Sequence, residues 1–373
     1  MEQIGTAVIG LGKVAKAHAE ALASLAGSRF VAVLDADVAR ARSFADRYGV
    51  RAYTSLDALL ADPEVGMVSI CTPHPTHAAL AMRAAEAGLH VLVEKPMAVN
   101  LADCDGMIRV AATRRVHLGV VSQRRFYEPV RRMHDAIAEG RIGRPVLGTV
   151  TVLGWRSEEY YAADGWRGTW AGEGGGILVN QVTHHLDLLQ WLMGPVEELF
   201  GYWANLNHPS IEVEDTAVAV LRFAGGAFGS IVVSNSQKPG LFGRVHVHGA
   251  SGASVGVQTE TGSAFVAGVS TDVAPAVNDI WTIPGEERYL RRWQRTDVRR
   301  ASRIDVTTHY HRAQIADFLD AIREGRPPLV TGEDGRKSVE IATAIYRSQA
   351  EHRPVRFPVG ASVLDETPTA VPA

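Results

Sequence analysis

The sequence predicts an α/β protein: an N-terminal doubly wound parallel Rossmann sheet, then a C-terminal α/β domain with an open, mainly antiparallel sheet. Three observations predict it. Over the first 120 residues, short apolar runs alternate with helical stretches. A glycine-rich turn joins the first run to the first helix. Beyond residue 122 the apolar runs follow one another at short spacing, with turns rather than helices between most of them.

In the first part, strand-like runs at 6–10, 30–35, 67–71, 90–94 and 116–121 alternate with helical stretches at 14–25, 39–48, 56–60, 77–87 and 102–114. Continuous apolar runs joined by helices read as strands buried on both faces of a parallel sheet. Residues 1–122 are therefore expected to form the Rossmann domain, and the glycine-rich turn after its first strand marks it as an NAD(P)-binding one. A helix at 129–139 opens the second part, and strands follow at 146–154, 196–205, 216–223, 227–234, 244–249 and 254–258. Gly225 and Gly226 between two of them signal a hairpin. Helices are expected at 180–193, 311–323 and 336–351, making 123–358 a substrate-binding and oligomerisation domain. Residues 359–373 mix Pro, Ala, Thr and Val without a period and are expected to be disordered.

The 373 residues are 46% hydrophobic and 21% charged, ordinary for a soluble globular chain with room for two cores. A net charge of −3 offers nothing to draw nucleic acid or an anionic membrane. No apolar stretch approaches the ~20 residues that span a bilayer, and a strand pattern starting almost at Met1 leaves no signal peptide to expect. Two cysteines, Cys71 and Cys104, exclude a disulfide framework and a cysteine-rich metal site, and favour a reducing cytoplasm.

Gly10-Leu11-Gly12-Lys13-Val14-Ala15 follows the first strand and opens the first helix. Gly10 allows the tight turn, Gly12 lets backbone approach a pyrophosphate, and Ala15 still permits close helix–strand packing. Asp35 ends the second strand at the spacing of a carboxylate that grips adenosine ribose hydroxyls. It repels a 2′-phosphate, so NAD is favoured over NADP, for which Arg40 and Arg42 remain the argument. The alternative for Asp35 is a cap on the helix beginning near Asp37. Thr72, Pro73, His74 and His77 come to the sheet edge where open α/β sheets bind ligands. For the two histidines, capping the next helix is the alternative; with no carboxylate nearby they are not read as metal ligands.

Val91-Leu92-Val93-Glu94-Lys95-Pro96 reaches the same edge. An ammonium partly desolvated beside a charged nicotinamide has its pKa lowered, which suits proton exchange with an alcohol. After Gly174-Gly175-Gly176, spacings of four and three put Asn180, His184 and Asp187 on one helical face. Val182, Leu186, Leu189 and Met193 mark a second, buried face. The polar trio is expected to look into a cleft, with His185 directed elsewhere. His184 and Asp187 lack a third ligand, so no metal is expected.

In these motifs the chain resembles the Gfo/Idh/MocA family, which includes glucose–fructose oxidoreductase and inositol dehydrogenase, from Gly10 to about Pro358. The most specific signature is Glu94-Lys95-Pro96. The resemblance implies Lys95 hydrogen-bonding the reacting oxygen, His184 as general acid/base, and a C-terminal sheet that often mediates dimer or tetramer contacts. The family usually has aspartate where this chain has Asn180. An amide cannot relay a proton, so Asn180 becomes a positioning group and Lys95 and His184 carry the chemistry.

Tyr160, Tyr161, Trp166, Arg167 and Trp170 make the next stretch similar to members acting on sugars, including nucleotide-sugar 3-dehydrogenases. Rings beside an arginine suit a sugar face with hydroxyl or carboxylate substituents, with inter-sheet packing as the alternative. Arg156, Gln123, Arg124, Tyr310 and His311 are further candidates to line the cleft. Gln123, Trp166 and Arg167 are candidates on the cofactor side as well, with Glu94. The function expected is hydride transfer between NAD(P) and a secondary hydroxyl or ketone of a sugar, cyclitol or nucleotide sugar. Two alternatives stay open: an NAD-retaining glycosidase or lyase, and a non-catalytic NAD-binding sensor, which need not keep Lys95 and His184 together. The run Arg288, Arg291, Arg292, Arg295, Arg299, Arg300 and Arg303 is read as a solvated loop or an intersubunit surface in preference to a polyanion site.

Overall fold

The computed structural model describes residues 3–261 and 275–360. Its first elements are β1 (Ile4–Ile9), α1 (Ala15–Ser24), β2 (Ser28–Leu34), α2 (Val38–Tyr48), β3 (Arg51–Tyr53), α3 (Leu56–Leu60), β4 (Met67–Ile70), α4 (His77–Glu86), β5 (His90–Val93), α5 (Leu101–Arg114) and β6 (Leu118–Val120). There follow α6 (Glu128–Ala138), β7 (Pro145–Leu153), α7 (Glu158–Ala162), α8 (Trp170–Glu173), α9 (Thr183–Met193), β8 (Val196–Ala204), β9 (Thr216–Phe223), β10 (Phe228–Ser234), β11 (Phe242–Gly249) and β12 (Ser254–Thr261). The last are α10 (Leu290–Ala301), α11 (Val306–Glu324), α12 (Gly332–Glu351) and β13 (Val355–Arg356).

Two compact units interleave along the chain. The first takes residues up to Ala98, Ala102–Gln123 and Asp305–Arg336; the second takes Val99–Leu101, Arg124–Ile304 and the chain from Lys337.

In the first unit, six parallel strands run in the order β3-β2-β1-β4-β5-β6. Residues 5–9 of β1 and all of β4 are buried, as their continuous apolar runs require. The strand order turns back between β1 and β4, so the carboxyl ends of β1, β4 and β5 frame the switch point where such sheets bind ligands. The division differs from a continuous domain over 123–358. Ile315, Phe318 and Leu319 of α11 lie in one core with Val8, Leu22 and Leu92, and this burial assigns the late helix to the first unit.

The second unit holds a seven-stranded sheet, β12-β11-β7-β10-β9-β8-β13. Only the β7/β10 pair is parallel; the other neighbours are antiparallel. Helix α9 packs on β7 and β11, with a close approach at Gly148, where a Cβ would stand 2.7 Å from Met193 Cγ. Helix α12 is tied to β8 by Ser348 Oγ, which accepts the Gly201 N–H at 2.9 Å.

Three expectations need correction. Residues 180–182 form a turn and α9 begins at Thr183, the backbone there being bent by the preceding glycines. The arginine-rich run is helical: in α10, Trp293 packs edge-on to Trp281 at 4.9 Å and Asp297 pairs with Arg132 at 2.6 Å, leaving most arginines exposed. The tail does not begin at 359, because buried Val359 donates its N–H to Glu340 at 2.5 Å and Gly360 accepts from Arg347 at 2.7 Å. Residues 361–373, also expected to be disordered, lie outside the described residues. No helix among the described residues is long and apolar enough to cross a membrane.

Candidate active site

The first unit carries a dinucleotide cradle. Gly10 adopts φ +83°, and a Cβ there would meet Thr72 Cγ2 at 2.5 Å, so only glycine fits this turn. Around Gly12 the space is open: a Cβ would touch nothing within 4 Å. No side chain caps α1; the Ala15 and Ala17 N–H groups turn back to the carbonyls of Gly12 and Val14, at 3.2 and 3.0 Å. Lys13, Val14 and Ala15 form the entry to that helix.

Asp35, at the end of β2, accepts the Leu11 N–H at 2.8 Å through one oxygen and the Asp37 N–H at 2.9 Å through the other. Each oxygen also takes a longer contact from Arg40 Nη1, at 3.3 and 3.5 Å. The capping alternative falls to Asp37, whose carboxylate takes the Ala39 and Arg40 N–H groups at 2.9 and 3.0 Å. Arg40 reaches Asp35 at 3.3 Å, where its charge lies beside the carboxylate. These features fit a pyridine dinucleotide with free ribose hydroxyls.

Thr72 and Pro73 follow β4, with the Thr76 hydroxyl 2.7 Å from the Thr72 hydroxyl. His77 is fully buried, its ring nitrogens 2.8 Å from the carbonyls of Thr72 and Pro96. Burial pushes its pKa down, against the pull of the two carbonyls. It is a strut between the turns after β4 and β5; burial excludes it from cofactor contact, a correction. Thr76, at the N-cap of α4, makes no side-chain capping bond, and His74 is buried too.

Glu94 also faces inward. Its Oε1 receives His18 Nε2 at 2.9 Å and His311 Nε2 at 3.3 Å, and its Oε2 receives the Lys95 backbone N–H at 3.1 Å. Burial raises the carboxyl's pKa, but the hydrogen bonds and charges of the two imidazoles outweigh it and hold the group well below its ordinary range. His18 Nδ1 meets Ser69 Oγ at 2.6 Å, and His311 Nδ1 meets the Thr307 carbonyl at 2.7 Å. The carbonyl only accepts, so His311 Nδ1 bears a hydrogen and a further proton lies in the His311–Glu94 contact. His18, Glu94 and His311 thus form one buried, mutually bonded cluster. Tyr310 is buried beside it on α11. Lys95 is half-buried at the carboxyl end of β5. Gln123, after β6, has a buried Oε1 with no hydrogen-bond partner among the described residues.

The second unit carries the sugar-like cluster. At Gly176 a Cβ would strike the Glu214 carbonyl at 1.9 Å, so this backbone lies against the 214 loop. Glu214 accepts the N–H groups of Gly176 and Leu178, each at 2.9 Å, and the Tyr346 hydroxyl at 2.9 Å. Complete burial pushes its pKa up to about 7 despite these donors. His184 lies in the first turn of α9 and is buried. Asn180, in the turn before it, donates to Glu173 and, at 3.4 Å, to the Tyr160 hydroxyl.

Asp187 is closed off by Arg125, with contacts of 2.9 and 2.5 Å. The expected polar trio on one helical face is therefore corrected: Asn180 precedes the helix and Asp187 forms a buried ion pair. His185 accepts from Arg124 at 2.9 Å and lies 3.0 Å from Thr259 Oγ1, and burial beside that cation holds its pKa well down. Arg124 is thereby a packing residue. Arg167 donates to Tyr160 at 2.6 Å and lies 4.5 Å from the centroids of Tyr160 and Trp166. Arg156 lies over the same tyrosine at 5.2 Å. Packing within the second unit, against β8 and α12 and not between sheets, claims Trp170, which meets Trp203 and Tyr346 edge-on at 5.6 and 5.4 Å; Tyr161 takes a 3.2 Å hydrogen bond from Asn235.

Sequence reasoning missed His18, Arg125, Glu214 and Tyr346. The one local signal was His18, a polar residue on the buried side of the fingerprint helix.

The profile of the oxidoreductase family with an NAD-binding Rossmann fold matches residues 4–122, and that of the GFO/IDH/MocA C-terminal domain matches 130–255. Myo-inositol 2-dehydrogenase of Thermotoga maritima is 30% identical, over 94% of this chain and 97% of its own. Inositol 2-dehydrogenase of Rhizobium meliloti is 28% identical over 93% and 97%. Among solved structures, the WlbA dehydrogenase from Bordetella pertussis, in complex with NADH and UDP-GlcNAcA, is similar at 30% identity. That likeness has a TM-score of 0.84 and covers 96% of this chain and 99% of that one.

Proposed function

The chain belongs to the Gfo/Idh/MocA oxidoreductase family, and we propose that it moves a hydride between NAD and a secondary hydroxyl or ketone of a sugar, cyclitol or nucleotide sugar, with Lys95 and His184 as catalytic groups. The observation that carries this reading is Lys95, half-buried at the carboxyl end of β5 on the sheet edge that also bears the Gly10 turn and Thr72. Relatives named for inositol, and one solved with a nucleotide sugar, support a polyhydroxylated substrate.

The Gly10–Ala15 turn and the N-terminus of α1 receive the pyrophosphate, and Asp35 takes the adenosine ribose hydroxyls. Bound there, NAD supplies a hydride acceptor at its nicotinamide ring. In the oxidative direction His184 accepts the hydroxyl proton while the Lys95 ammonium hydrogen-bonds the oxygen and stabilises its developing charge. The carbinol C–H bond breaks as the carbonyl forms, and the hydride leaves with both electrons. Reduction runs these movements backwards. Asn180 orients the substrate.

Two coarser features extend the reading. The outer face of the second unit's sheet exposes Tyr202 (58%), Val220 (62%) and Phe228 (61%), together with Leu147, Val218 and Val232. A face of that kind suits a homodimer or homotetramer. Both cysteines are free and buried, in keeping with a reducing cytoplasm.

The test is NAD reduction by the purified protein across inositols, hexoses and nucleotide sugars. At least one class should yield reduced nicotinamide. Failure of all of them, in both directions and at saturating cofactor, would remove the proposal.

A further inference from the structure

Arg156 is a buried cation without a counter-ion. The residue is 6% exposed, Nη1 donates to the Trp155 carbonyl at 2.8 Å, and Nε is buried with no acceptor. Among the described residues it enters no ion pair. A charge removed from water in this way is costly unless an anion arrives to balance it.

Its surroundings are rich in donors, and the spare acceptor they hold, the buried and unpartnered Oε1 of Gln181, is an amide oxygen with no charge to balance Arg156. Three side chains aim N–H groups at the single phenol oxygen of Tyr160: Arg167 at 2.6 Å, Gln181 at 3.3 Å and Asn180 at 3.4 Å. A phenol oxygen serves as acceptor to two donors at most while its own O–H seeks an acceptor elsewhere. The nearby acids do not relieve the excess at Arg156. Asp164 holds Arg167 Nε at 2.9 Å, and Glu173 accepts from the Gly168 N–H at 2.7 Å and from Asn180. Trp166 closes the group as an apolar wall, 4.5 Å from the Arg167 guanidinium.

We propose that Arg156, Tyr160, Arg167, Asn180 and Gln181 form a subsite for a carboxylate carried by the substrate, so that the preferred substrate is an acidic sugar of the hexuronate type, free or nucleotide-activated. The proposal rests on the reading of this protein as a sugar dehydrogenase and narrows it. A carboxylate supplies two acceptor oxygens and one negative charge, which one unpaired guanidinium balances. A pyrophosphate brings about two charges and would leave one of them uncompensated.

Two pairs of compounds test it: D-glucuronate against D-glucose, and a nucleotide-activated hexuronate against its neutral hexose counterpart. In each pair the acid should give the higher kcat/KM for NAD reduction, by on the order of 100-fold, the scale of a charge-assisted hydrogen bond. Arg156→Met should erase that ratio mainly through KM, and Arg156→Lys should restore part of it. Calorimetric binding of the acids to the NAD-loaded protein gives a readout independent of turnover, with thermal unfolding confirming that each variant is folded. Acid binding that depends on Arg156 supports the subsite even if no compound is oxidised, and the dehydrogenase reading would then fail alone. Equal affinity for acid and neutral partners, or failure to bind either acid, overturns it. So does a Met variant that weakens both nucleotide-activated compounds alike, since that result would assign Arg156 to the phosphates.

Discussion

Buried charges here find partners that sequence proximity does not supply. Glu94 meets His18 across 76 positions and His311 across 217, and Asp187 meets Arg125 across 62. Lys95 was legible because an apolar run leads directly into it; the groups that fix Glu94 beside it were not, because only the tertiary fold brings them together. Breaking the Arg125–Asp187 pair by Arg125→Ala should cost about 3–5 kcal/mol in denaturant unfolding, whereas replacing both with apolar residues should cost much less. Glu214 makes a pH-dependent contribution of definite sign. Its carboxyl is raised to about 7 in the folded protein and returns to near 4.3 on unfolding. The folded state therefore holds the proton more tightly, and stability falls as pH rises from about 4.5 to 7, by roughly 3 kcal/mol from this group. Unfolding free energies measured across that interval should show the slope in the wild type and lose it in Glu214→Gln.

Among the elements, the fingerprint turn separates two roles that sequence patterns treat alike. Gly10 is enclosed by Thr72 and bound to positive φ, while Gly12 faces open space. Gly10→Ala should lower the melting temperature; Gly12→Val should leave it nearly unchanged and abolish NAD binding, as read by fluorescence titration and thermal unfolding together. The strands of both sheets were legible within a few residues because alternation and continuous apolar runs are local signals, except for the short edge strands β3 and β13, which carry too few residues to show either pattern. Helix α10 was not, since its anchors, Trp293 and Asp297, are outnumbered by arginines and find Trp281 and Arg132 only in the fold. The start of α9 was misplaced for a related reason. Helical spacing continues back to Asn180, but the turn held by Glu214 and Glu173 determines the backbone there.

For the whole molecule, a boundary near residue 122 was visible in the change of pattern, and the return of Asp305–Arg336 to the first unit was not. An amphipathic helix states that it packs, not on which core. The exposed apolar sheet face yields a prediction at this scale: Val220→Glu with Phe228→Glu should shift the protein to a monomer in light-scattering mass measurements without unfolding it, and an unchanged mass would place assembly elsewhere. The most direct test of the central claim is the rate of NAD reduction by the best substrate in Lys95→Met. A drop of about 1000-fold or more with NAD affinity retained is expected for loss of the group that stabilises the reacting oxygen; turnover near the wild-type rate would contradict it.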